Sequence, residues 1–135
     1  MECTDDYDCD PVVKHSELNL EIRQIVDEVY EALGSGHSER IYHNAMEVSL
    51  RELNIPYESE RHVPIYYKNH VIGMARADII LRHNVVLELK SVKTLTENMI
   101  SQARKYLHQL KLNTGYLINF PVSEGCKAEV VEIIL

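Results

Sequence analysis

The chain has 135 residues, 45% of them apolar and 26% charged, which suits one globular domain that can bury its own core without staples. Its net charge of −7 is concentrated at the N-terminus: residues 1–10 hold Glu2, Asp5, Asp6, Asp8 and Asp10 and no base, so 16 acids face 14 bases in the remainder, and no strongly basic face of the kind that grips phosphates non-specifically is evident. No apolar run is long enough to span a bilayer, the acidic N-terminus does not read as a secretory leader, and Cys3, Cys9 and Cys126 are too few for a four-thiolate centre and read as free thiols of a reducing compartment. Cytoplasm or nucleus is the expected location, with no role in a membrane and no secretion.

Residues 1–15 read as an acidic, disordered tail and 16–135 as one domain. Leu18, Ile22, Ile25, Val26, Val29 and Leu33 recur at helical spacing, with Ser16 as N-cap and Gly34 and Gly36 as stop signals. A second helix is predicted over 38–53, capped by Ser38, with Ile41, Ala45, Val48 and Leu53 as its apolar stripe, ended by Asn54-Ile55-Pro56. Val63–Tyr67, Val71–Leu81 and Val85–Lys90 then read as three strands joined by short turns at 68–70 and 82–84, an antiparallel meander. Gly73 marks a bulge or close approach. Thr96 caps a third helix through Leu112, with Ile100, Ala103, Leu107 and Leu110 inward. Gly115–Phe120 and Val130–Leu135 complete the order α-α-β-β-β-α-β-β, an α/β fold.

The strongest local chemistry is in Val85-Val86-Leu87-Glu88-Leu89-Lys90. Side chains alternate along a strand, so Glu88 and Lys90 share one face and Val85, Leu87 and Leu89 the other. Asp78, another lone carboxylate among apolar residues, lies on the preceding strand and can come beside Glu88 across the hairpin. Two adjacent carboxylates repel unless a proton or a cation sits between them. A hard divalent ion such as Mg²⁺ prefers such oxygen ligands. The bland reading is an internal ion pair of Asp78 or Glu88 with Lys90 or Arg76.

Asp78, nine intervening residues, then Glu88-Leu89-Lys90 on adjacent strands resembles the PD-(D/E)xK phosphodiesterase core. Gly36-His37-Ser38-Glu39-Arg40-Ile41-Tyr42 resembles the GxxExxY signature of a family within that nuclease superfamily. The likeness continues through Arg76–Ile80, Val86–Val92, Gln102–Leu107 and Leu117–Phe120. The resemblance implies a restriction-endonuclease-like mixed sheet flanked by helices. It implies a metal-dependent nuclease acting on DNA through a metal-activated water, with Mg²⁺ or Mn²⁺ as cofactor. Asp78, Glu88, the Leu89 carbonyl and Glu39 would be metal ligands. Lys90 would be the catalytic lysine, and Gln102 would complete the catalytic set. Tyr106, one helical turn from Gln102, and Tyr42 would meet substrate. Ala77 stands where the superfamily name has proline, and Pro121 where relatives carry glycine.

Arg104, Lys105 and Lys111, with Lys93, form the local basic cluster; Arg104, Lys105 and Lys93 are the candidate phosphate contacts. His15, His37, His43, His62, His70, His83 and His108 lack zinc-site spacing and read as surface residues. Tyr57, Tyr66, Tyr67 and Tyr116 read as strand packing rather than base-stacking platforms. The rival to a DNA nuclease is a non-catalytic binding or assembly module of the same fold, self-associating or held by a protein partner. An RNA-processing nuclease is a further alternative, since nothing in the sequence reads a 2′-hydroxyl.

Overall fold

A computed structural model describes residues 11–135. They run α1 (Pro11–Leu33), α2 (Glu39–Glu52), β1 (Tyr57–Tyr67), β2 (His70–Leu81), β3 (Val85–Lys90), α3 (Glu97–Leu110), β4 (Thr114–Asn119) and β5 (Glu129–Ile134). This is the element order expected from the sequence. Cys3 and Cys9 lie outside the described residues, as do all five acids of the N-terminal segment; Cys126 is free and exposed.

The strands form one mixed sheet in the order β1-β2-β3-β4-β5. The first three make the antiparallel meander. Lys68 and Asn69 turn the first hairpin, both with positive φ, the conformation that matches a tight hairpin to strand twist. The pairing slips between Ile65/Tyr66 and Gly73/Val71, leaving Ile72 without a partner, which puts the bulge beside Gly73. β3 and β4 are parallel, and parallel neighbours need a crossover; α3 supplies it.

Helices cover both faces. On one face α1 and α2 bury Ile22, Val26, Met46 and Leu50 against Ile79, Leu87, Leu89 and Ile118. On the other, Ala103 and Leu107 of α3 pack on Ile80, Val86 and Leu117. Gly115 permits the close approach of α3 to β4: a Cβ there would meet Leu107 Cδ2 at 3.1 Å and the Val86 carbonyl at 3.3 Å.

Two helix expectations are corrected. α1 begins at Pro11, so Ser16 lies inside the helix instead of capping it. α2 keeps its limits, with Ser38 as N-cap residue and Leu53 as C-cap, but buries a different face. Ile41, Val48 and Leu53 are 42%, 46% and 54% exposed, whereas Tyr42, Met46 and Leu50 are fully buried. Tyr42, Met46 and Leu50 recur every four residues and carry more apolar volume, at roughly 1.5–3 kcal/mol for each large side chain buried. Tyr42 stacks on Phe120, centroids 4.4 Å apart and planes 4° from parallel.

The connection leaving β3 is pinned from β4 and β5. Buried Asn119 accepts from the Val92 N–H at 2.9 Å and donates to the Val92 carbonyl at 3.1 Å and to Glu129 at 2.8 Å. Glu129 also accepts from Thr94 and from the Leu95 N–H. The Phe120 N–H bonds the Lys90 carbonyl at 2.9 Å. The end of β3 is thereby fixed where Lys90 leaves the sheet.

Candidate functional site

β2 and β3 pair Ile79 with Leu87, and one further step of the same register sets Asp78 opposite Glu88. Both alternate onto the face covered by α3. Lys90 follows two residues on. The three line a cleft of about 390 Å³ together with Glu39, Arg76, Gln102, Lys105 and Tyr106. A smaller extension of about 180 Å³ continues past Asp78 between Arg40, His43 and Arg76.

Asp78 is the better satisfied carboxylate. Its Oδ2 accepts from the Leu89 N–H at 2.9 Å, and its Oδ1 lies 3.3 Å from an Arg76 nitrogen. The ion-pair alternative is thus present for Asp78 with Arg76. Arg76 also reaches Glu60 at 3.8 Å, and Glu60 pairs with Arg40. Glu60 has a positive φ and sits in the strand directly across from Asp78.

Glu88 is different. Its Oε1 is buried and has no hydrogen-bond partner, although a buried carboxylate without partners is costly. Burial first, and the neighbouring Asp78 charge second, push its carboxyl up to about 8. A hydrogen bond from the Asp78 backbone N–H, and after it the Lys90 and Arg76 charges, draw it down by less. An orphaned carboxylate oxygen beside a second carboxylate, in an open cleft, fits a hard divalent cation, which takes one or two carboxylates and keeps waters for the rest. The fit stops at two acids: among the described residues no three His, Cys, Asp or Glu side chains converge on one ion position. Glu39, expected as a third ligand, lines the cleft from the exposed start of α2 without joining Asp78 and Glu88.

Gln102 and Tyr106 face the cleft from α3 as the (i, i+4) spacing requires, with Lys105 beside them. Arg104 and Lys93 do not line it. Tyr42 is corrected from substrate contact to core residue: it is wholly buried, donates its hydroxyl proton to the Gly34 carbonyl at 2.6 Å and accepts from the His37 N–H at 3.3 Å. It ties down the turn before α2 through Gly34 and His37. His43 is no surface residue either. It is buried, with Nε2 at 2.7 Å from Glu47 and 2.9 Å from the Ser59 hydroxyl. Burial alone would raise the Glu47 carboxyl, yet hydrogen bonds from Ser59 and Tyr57 and the neighbouring His43 hold it below its ordinary value. The sequence reading named Arg76 as an ion-pair partner of the carboxylates but not among the catalytic, metal or substrate-binding residues, and the structure places it in the cleft lining. Its signal was its position two residues before Asp78 on the same strand face.

The family model of the PD-(D/E)XK nuclease superfamily matches residues 16–132. No match is found among curated proteins. Of solved structures, the crystal structure of SSO0001 is similar with a TM-score of 0.54 and 24% identity, over 70% of this chain and 48% of that one. The chain therefore spans about half the length of that protein, and the likeness is one of fold. With the family model covering residues 16–132, the carboxylate pair included, the chain belongs to the PD-(D/E)XK nuclease superfamily.

Proposed function

We propose that the domain is a divalent-metal-dependent nuclease that cleaves DNA, with Asp78 and Glu88 as the metal-holding pair. The observation that carries this reading is the buried, partnerless Oε1 of Glu88 beside Asp78 in the cleft. Mg²⁺ or Mn²⁺ held there supplies the acidity that activates a water and the charge that offsets a phosphate. The Leu89 carbonyl, at the same strand end, is the third protein oxygen to hand. Lys90 projects from the face that carries Glu88 and orients the attacking water or meets charge developing on the phosphate. Glu39 and Gln102 line the same cleft and would hold waters around the ion. Lys105 offers a phosphate contact and Tyr106 a flat apolar face.

The test is titration of Mn²⁺ and a nuclease assay on the same preparations of parent, Asp78→Ala and Lys90→Ala. Asp78→Ala is expected to lose both metal binding and cleavage. Lys90→Ala is expected to keep the metal and lose cleavage. Equal cleavage by all three would assign the activity to a contaminant. Metal binding by the parent without cleavage of DNA or RNA would favour the alternative, a binding module of this fold, for which the Arg76–Asp78 pair already supplies a metal-free resting state.

A further inference from the structure

The stretch from Arg61 to Ala77 contains Arg61, Lys68 and Arg76, with His62 and His70, and no Asp or Glu, in a chain of net charge −7. It forms the outer part of the β1–β2 hairpin. The same part carries large apolar side chains facing solvent: Tyr66 is 62% exposed, Tyr67 59%, Val71 57%, Ile72 65% and Met74 56%. Clustered apolar exposure of this kind marks an interaction surface. β1 is an edge of the sheet, so no further strand covers it.

The charge decides what fits. Two copies joined by a two-fold axis over this tip would bring one basic, acid-free patch against another of the same sign. A single nucleic-acid strand instead offers phosphates to the bases of the hairpin and flat rings to its tyrosines. Lys68 Nζ lies 5.4 Å from the centroid of the Tyr67 ring, which joins a cation and an aromatic face at the turn. Along β2, Met74, Arg76 and Asp78 alternate onto one face. Pro64 opposes Met74 and Tyr66 opposes Val71, and residues directly opposed across strands share a face. Tyr66 therefore stands on the cleft side of the sheet, roughly 23 Å from Asp78 at about 3.3 Å per residue.

We propose that the outer β1–β2 hairpin is a docking surface for single-stranded nucleic acid, with Tyr66 stacking on a base and Lys68 and Arg76 meeting backbone phosphates as the strand runs toward Asp78. This rests on the phosphodiesterase reading of the cleft and extends it to a substrate class. The test is fluorescence anisotropy in Ca²⁺ buffer with two labelled oligothymidylates, one short enough to occupy the cleft alone and one long enough to reach the turn. Tyr66→Ala is expected to weaken the long strand at least about fivefold, the low end of one base–aromatic stack, and to leave the short strand unchanged. Tyr66→Phe is expected to restore binding. Lys68→Glu is expected to weaken the long strand and flatten its salt dependence. Unchanged affinity for the long strand in both Tyr66→Ala and Lys68→Glu overturns the proposal. So does a preference of the parent for duplex, or a change in mass by light scattering or in binding of a polyglutamate probe as the sole effect of these variants. Parent protein that binds neither strand sinks the cleft reading itself, whereas losses confined to the long strand bear on the hairpin alone.

Discussion

Replacing Glu88 with glutamine keeps the shape of the side chain and removes its titration. The Glu88 carboxyl is raised from 4.5 to about 8, by burial first and by Asp78 second. A carboxyl that holds its proton more tightly when folded makes the native state bind more protons than the unfolded chain. Stability from this group is therefore complete below about pH 4.5, falls as pH rises, and is gone above about pH 8. At about 1.36 kcal/mol per decade of affinity, the full swing is up to about 5 kcal/mol. Urea unfolding of the parent and Glu88→Gln in chelator-containing buffer, from pH 5 to pH 9, measures it. The two curves are expected to agree near pH 5 and to part as pH rises, with the glutamine variant the more stable by a few kcal/mol at pH 9. Mn²⁺ is expected to restore the parent at high pH and to do little for the variant. Parallel curves, or a parent that gains stability as pH rises, would refute the claim that burial outweighs compensation at Glu88.

The same raised carboxyl implies that metal loading at pH 7 displaces a proton from Glu88, which calorimetry in buffers of different ionisation enthalpy reads directly; zero release would contradict it. Tyr42→Phe removes the hydroxyl bonded to Gly34 and His37 and is expected to cost about 1–2 kcal/mol in denaturant unfolding while oligonucleotide affinity in Ca²⁺ stays as in the parent; a selective loss of affinity would return Tyr42 to the substrate path. Met46→Ala is expected to destabilise by about 2–5 kcal/mol, against about 0.5 kcal/mol or less for Val48→Ala, and equal effects would mean that α2 packs by its other face.

The fold was legible where pattern and length agreed. The Leu18-Ile22-Ile25-Val29 period marks a buried helix face, and all four are buried. Val85–Lys90 reads as a strand because its apolar run is bounded by a turn and by polar residues, and its limits are as expected. Asp78 and Glu88 were legible as a pair because a short turn between strands leaves them no other register. The burial face of α2 was not legible, because Ile41 and Val48 count as apolar in any periodicity while Tyr42 is half polar; what decides is the Phe120 ring, which lies far along the chain and offers Tyr42 a stacking partner. Arg76 was legible as an ion-pair partner for Asp78, but its onward charge chain to Glu60 and Arg40 was hidden for a like reason, since it joins β2, β1 and α2. The sequence also left Tyr66 and Tyr67 as packing residues, because it does not show that the hairpin outruns the helices that cover the rest of the sheet.

The pinning of β3 by Asn119 and Glu129 also orders events in time. Asp78 and Glu88 lie on one hairpin and meet through a short loop, which closes early and at small entropic expense. Asn119 reaches Val92 across 27 residues, and that bond must wait for α3 to swing over and for β4 to add beside β3. α3 covers the face that carries Glu88, so the docking that completes the crossover is also what takes water from that carboxyl, and the rate of refolding is expected to depend on pH and on divalent ions.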